Sequence, residues 1–199
     1  LYELMGGRSF SNVQMYGAIT ACFLAAVNGY CLCIISGAVP MLKEVFELET
    51  LQTAMLVSIN VLGALTGGVV GGIAADKLGR RQGIRLCAAS FLLGSLLMGV
   101  AQSFYMVLTG RFVVGIGTGL AGVINPIYLA EIAPSSQRGR LVTANEILLT
   151  VGCLGALVTS MLLQHEADGW RWMLAASAPA SALALLGTLL IPETEAWLP

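Results

Sequence analysis

The sequence predicts an all-α membrane protein with six transmembrane helices, and three observations carry that expectation. Fifty-seven per cent of its 199 residues are hydrophobic and 11 per cent charged, whereas a soluble domain carries about 25 per cent charged residues. The chain is free of charge over residues 9–42, 50–75, 86–110, 112–130, 147–165 and 172–192, and each run reaches the roughly 18 apolar residues that a bilayer span requires. The basic residues are also unequally shared between alternate loops. One side holds Arg8, Lys77, Arg80, Arg81, Arg85, Arg138 and Arg140; the other holds Lys43, Arg111 and Arg171.

Taken in order, the first helix is expected over about 14–41, too long and too closely followed by similar segments to be a cleaved leader. The second, about 51–75, reads "LQTAMLVSINVLGALTGGVVGGIAAD". Gly63, Gly67 and Gly71 recur every fourth residue, and Gly68 and Gly72 repeat the interval one position on. Small residues at that spacing let a neighbouring backbone come close. The third helix is expected over 84–101. The fourth, 106–132, repeats the small-residue pattern with Gly115 and Gly119. The fifth, 141–163, lies in "RLVTANEILLTVGCLGALVTSMLLQH", where a single carboxylate, Glu146, stands inside an apolar stretch. An acid at the centre of a span costs roughly 2.5–3.5 kcal/mol on insertion scales, so it normally faces a cavity or a partner. The sixth is expected over 172–191. Pro126 in helix four and Pro179 in helix six are expected to bend their helices, which membrane bundles tolerate. The whole of 1–199 reads as one six-helix transmembrane bundle.

The charge asymmetry places both ends of the chain in the cytoplasm. The five cysteines, Cys22, Cys31, Cys33, Cys87 and Cys153, lie in apolar runs without the spacing of a disulfide framework or zinc site. No basic patch with interleaved aromatics points to nucleic acid. No nucleophile and base pair or metal cluster points to an enzyme, and no cofactor or metal is expected; His165 is the single histidine.

The loop "GGIAADKLGRRQGIRL" resembles the signature of the major facilitator superfamily between its second and third helices, G-x-x-x-D-(R/K)-x-G-R-(R/K). Gly79 permits a tight turn, and Asp76 with Arg80 and Arg81 can form a charge-assisted latch. The segment "GRFVVGIGTGLAGVINPIYLAEIAPSSQRGRL" resembles the sugar porter signature over more than thirty residues. The end "PETEAWLP" is similar to that family's P-E-S-P-R-W-L, and "GYCLCIISGA" to its G-Y-D-x-G-V-I-S-G. These matches run from about residue 29 to 198, so the chain resembles the N-terminal six-helix half of a twelve-span sugar porter.

The resemblance implies transport of a sugar or polyol by alternating access, with the missing C-terminal six-helix half and the lipid bilayer as partners. It implies that Asp76, Arg80, Arg81, Glu131, Arg138, Arg140 and Glu193 form a cytoplasmic salt-bridge network against that half. Glu195 and Ala196 depart from the family's Pro and Arg. The family's cavity-lining aromatic and glutamine are replaced by Asn28 and Glu146. By helical spacing, Glu146, Thr150 and Cys153 share one face of helix five, so Glu146, Asn28, Thr150 and Cys153 are the expected substrate-binding residues. In proton-coupled members an Arg matching Arg111 pairs with an acid where this chain has Cys31, so facilitated diffusion is expected, with Arg111, Cys31 and Glu146 as candidates for coupling or gating. Snorkelling of Arg111 to the outer interface is the alternative. A direct Arg111–Glu146 pair is disfavoured, because the two lie something like 20 Å apart in depth. A proton symporter that uses Glu146 and a sugar sensor that does not transport are the competing functions. The plasma membrane is expected ahead of an internal one.

Overall fold

The computed structural model describes residues 12–134, 137–189 and 191. They form seven helices: α1 (Asn12–Val45), α2 (Thr50–Leu78), α3 (Arg80–Gly99), α4 (Phe104–Ile132), α5 (Arg138–Leu163), α6 (Gly169–Ala175) and α7 (Ser177–Gly187). No strand occurs among the described residues. The first five are long and apolar enough to cross a membrane, and α6 with α7 makes the sixth span.

Most helices run past the expected ends, because the expectation counted apolar residues whereas a helix continues through its charged flanks. α1 extends through Pro40 to Val45 and α4 passes Pro126 without interruption. The sixth span corrects the expectation of one helix over 172–191. It begins earlier, at Gly169, and is interrupted at Ala176. Pro179 lacks the N–H that would reach the Ala175 carbonyl. Side chains engage the carbonyls at the interruption: the Tyr30 hydroxyl donates to the Met173 carbonyl at 2.9 Å and Ser177 lies on that of Leu174 at 3.5 Å.

α4 is the hub, with α2 and α3 packed along it and α1 against its remaining side, while α5 runs along α1 and α6–α7 close on α3 and α1. The two glycine rows of α2 have separate fates. A side chain at Gly63 would strike the Phe112 carbonyl and one at Gly67 the Ile116 carbonyl, whereas Gly68 and Gly72 have no atom within 4 Å of such a side chain among the described residues. From the other side, Gly115 rests on the Asn60 carbonyl and Gly119 on that of Ala64. α1 and α5 approach in the same manner, with Gly29 on the Leu149 carbonyl, Gly152 on the Ala26 carbonyl and Gly37 on Ser160. Lipid tails are as apolar as leucine, so contact between helices in a bilayer depends on such close packing. The outward faces of α2 and α5 carry exposed Leu65, Val69, Leu154 and Leu162.

Gly67→Val should force α2 from α4 and lower stability by about 1–3 kcal/mol, the usual cost of overpacking. Gly68→Ala, one residue on, should be neutral or slightly stabilising. Thermal unfolding of the two variants in detergent separates them, and equal losses would show that neither row is privileged.

Candidate functional site

Two groups of polar side chains stand out, one at the end of the bundle that holds the α2–α3 and α4–α5 connections and one within the spans. The first is built on a glycine turn. Gly79 has φ 88° and ψ 160°, a left-handed conformation that separates α2 from α3 and that glycine adopts without steric cost. The turn aims Arg80 back across the end of α2. Its Nη1 donates to the Ala75 carbonyl at 2.6 Å and lies 3.5 Å from the Asp76 carboxylate. Its Nε donates to Glu131 Oε1 at 3.2 Å, and Nη2 lies 3.2 Å from the same oxygen. One guanidinium thus joins the end of α2, the start of α3 and the end of α4. Both Arg80 and Glu131 are largely buried, with side chains 16% and 20% exposed, so water screens this pair less than a surface pair.

Arg81 donates through Nη2 to the Leu189 carbonyl at 2.9 Å, tying α3 to the end of α7. Arg138 and Arg140 are exposed in the first turn of α5 and have no carboxylate within 4 Å among the described residues. Glu193, Glu195 and Ala196 lie outside the described residues. Of the seven network residues, the structure therefore brings Asp76, Arg80 and Glu131 together, sets Arg81 on a backbone carbonyl and leaves two arginines open.

Within the spans, Glu146 is exposed on α5 and its Oε1 accepts from Asn145 Nδ2 at 3.0 Å. One turn on, the Thr150 hydroxyl donates to the Glu146 carbonyl at 3.0 Å, so its oxygen still faces outward as an acceptor. The Cys153 thiol donates to the Gly29 carbonyl of α1 at 3.2 Å. The same face continues along a groove between α1 and α5, a cavity of about 530 Å³ lined by Ser36, Pro40, Glu44, Leu157, Ser160 and Gln164. Asn28 stands apart from this exposed face: it is 5% exposed, and its Oδ1 has no partner among the described residues.

Arg111 does not snorkel. It is 2% exposed, its Nη1 donates to the Cys31 carbonyl at 2.9 Å, and Nε has no partner among the described residues. Nearby, Ser95 and Ser177 share a 2.5 Å hydrogen bond between α3 and α7 and flank the Cys31 thiol. The contacts Gly29–Leu149, Ala26–Gly152 and Gly37–Ser160 set α1 and α5 parallel, with Glu146 opposite the turn around Phe23. Cys31 is eight residues further along, so Arg111 and Glu146 are separated by about 12 Å of helix rise. That is less than the sequence-based 20 Å, and each has a different partner.

Buried asparagines were overlooked in the sequence. Asn60, Asn125 and Asn145 are each 4% exposed or less, Asn125 Nδ2 donates to the Ala21 carbonyl at 3.3 Å, and Asn145 orients Glu146. The available signal was an amide inside a charge-free run, which in a bilayer faces the bundle and seeks a partner.

A family model described as "Sugar (and other) transporter" matches residues 17–199. Inositol transporter 4 of Arabidopsis thaliana is 34% identical over 184 residues, covering 91% of this chain and 32% of that protein. The proton myo-inositol cotransporter of Homo sapiens is 37% identical over 171 residues, covering 85% and 26%. Among solved structures, the inward open conformation of the xylose transporter XylE from E. coli superposes with a TM-score of 0.83 at 26% identity, covering 91% of this chain and 48% of that one. The chain spans between a quarter and a third of the length of these curated relatives. Its helices form the N-terminal half of the major facilitator fold.

The isolated charge of Arg111 has a consequence for stability. The Cys31 carbonyl keeps its helical N–H partner if the guanidinium is removed, so Arg111→Met leaves no orphaned acceptor. Replacing a buried charge by an apolar side chain of similar volume should be neutral or stabilising by about 1 kcal/mol or more. A clear fall in the thermal midpoint would show instead that Arg111 stabilises the bundle.

Proposed function

The chain belongs to the sugar transporter family, and on that premise we propose that it is the N-terminal half of a carrier that moves a sugar or polyol by alternating access, working with a second six-helix half. The observation that carries this reading is the α5 face of Glu146, Thr150 and Cys153. A carboxylate held by Asn145 in an otherwise apolar span is what a hydroxyl-rich solute needs, because it accepts several hydrogen bonds at once. Glu146, Thr150, Cys153 and the buried amide of Asn28 are the proposed substrate ligands. A site shared by two bundles that rock against one another is the general arrangement of such carriers.

The carrier is oriented with both ends of this chain in the cytoplasm and resides in the plasma membrane. Its orientation is supported by the basic residues, since Lys77, Arg80, Arg81, Arg85, Arg138 and Arg140 lie on one side of the bundle. Transport is facilitated diffusion. The support is Arg111, whose partner among the described residues is the Cys31 carbonyl rather than a carboxylate that could exchange a proton. A second reading is favoured by Glu146 itself, an exposed carboxylate on the proposed substrate face. In that case it couples proton and solute.

Glu146→Gln separates the two. It keeps shape and hydrogen bonding but cannot titrate. Under facilitated diffusion the variant retains exchange with altered affinity and gains or loses no uphill accumulation, measured in vesicles holding the assembled transporter. Under coupling, exchange survives and proton-driven accumulation disappears. Glu146→Ala should weaken solute binding by roughly 1–3 kcal/mol, the cost of leaving a buried polar partner unmade. Unchanged affinity and transport in the Ala variant across pH 5 to 8 would overturn the proposed site.

At the basic end, the proposed latch has an internal and an external part. Asp76, Arg80 and Glu131 bind within this half, while the open guanidiniums of Arg138 and Arg140 are available to the second half. Arg80→Ala should therefore lower the thermal stability of the bundle. Arg138→Ala should leave stability unchanged, slow transport and shift accessibility labelling towards the inward-open state. A change in solute selectivity without a shift in labelling would contradict the latch.

A further inference from the structure

Cys33 of α1 and Cys153 of α5 are on different spans, 120 residues apart in sequence, yet they meet. The Cys153 thiol lies 3.2 Å from the Gly29 carbonyl, the same carbonyl that takes the backbone N–H of Cys33 within α1. The backbones touch immediately beside them, at Gly29 against Leu149 and Gly152 against Ala26, and one turn above Cys33 Gly37 packs on the Ser160 side chain. The Cys153 thiol, which donates to the Gly29 carbonyl, thus lies beside the Cys33 side chain one turn along α1. Both are free and half-buried, whereas Cys22, Cys31 and Cys87 are fully buried.

We propose that Cys33 and Cys153 form a two-thiol binding site for trivalent arsenic and similar soft, thiophilic centres. Thiols are soft donors and bind such centres in preference to oxygen ligands. The geometry supplies two of them from helices whose mutual register is held by backbone contact, so the second bond forms at high effective concentration once the first is made. With phenylarsine oxide the reaction balances without any redox change. Each thiol gives its proton to the arsenic-bound oxygen, two As–S bonds replace the bonds to oxygen, and one water leaves. On α5, Cys153 lies on the face that also carries Thr150 and Glu146.

The test is binding of phenylarsine oxide to the assembled transporter in detergent, followed by digestion and mass spectrometry, with no transported solute present. The expected product is one arsenic atom bridging a peptide that contains Cys33 to a peptide that contains Cys153, released by 2,3-dimercaptopropanol and resistant to an equal thiol concentration of a monothiol. Cys33→Ser or Cys153→Ser should each weaken binding about 100-fold or more, the usual advantage of a second linked contact. Cys22→Ser, Cys31→Ser and Cys87→Ser should leave the bridged product in place. Where a Ser variant does not fold, the peptide map of the unaltered protein decides alone. Absence of the bridged peptide there, or arsenic binding that survives both Cys33→Ser and Cys153→Ser, would overturn the site.

Discussion

Backbone-to-backbone contact through glycine is the constraint on which the rest of this bundle depends. In water, burial of leucine and phenylalanine drives helices together; in a bilayer that drive is lost, and close van der Waals approach takes its place. Gly63, Gly67, Gly115 and Gly119 bring α2 onto α4, while Gly29 and Gly152 bring α1 onto α5. These pairings also determine where polar groups lie. The Cys153 thiol reaches the Gly29 carbonyl because no side chain intervenes. The same register sets Glu146 opposite the turn around Phe23 and apart from Arg111.

The two buried arginines illustrate how environment decides what one side chain does. Arg80 sits at a turn made possible by the positive φ of Gly79 and engages two carboxylates and a carbonyl. It holds the ends of three helices. Arg111 has the same chemistry in the interior of the bundle but a single backbone carbonyl as its described partner. Desolvation of a charge without a counter-charge is costly, so the first arginine consolidates the fold while the second is retained against its own energetics. That contrast is why the first is read as architecture and the second as a candidate for function.

Much of the fold was legible in the sequence because its physics is one-dimensional. Whether a segment can cross a bilayer depends on apolar length and on the absence of charge, and both are properties of consecutive residues. The superfamily signature was legible for a similar reason: Asp76, Gly79, Arg80 and Arg81 act within one loop, and their spacing carries the signal. The break in the sixth span was only half legible. Pro179 announced it, but Tyr30, which binds the Met173 carbonyl, is 143 positions away.

What the sequence by itself determined was the number of spans, the uneven sharing of charge between the two sides of the membrane and the presence of a lone acid on α5 in phase with Thr150 and Cys153. Only the tertiary structure decided which glycine row meets a neighbour, that Asn145 holds Glu146, that Arg111 turns to Cys31, and that Cys153 reaches α1 beside Cys33. Gly67 and Gly68 are adjacent in sequence and chemically identical, yet one touches Ile116 and the other has no neighbour within reach of a side chain among the described residues. The physical reason is that helical periodicity sets which residues share a face, but the rotation and offset of each helix come from contacts with helices distant along the chain.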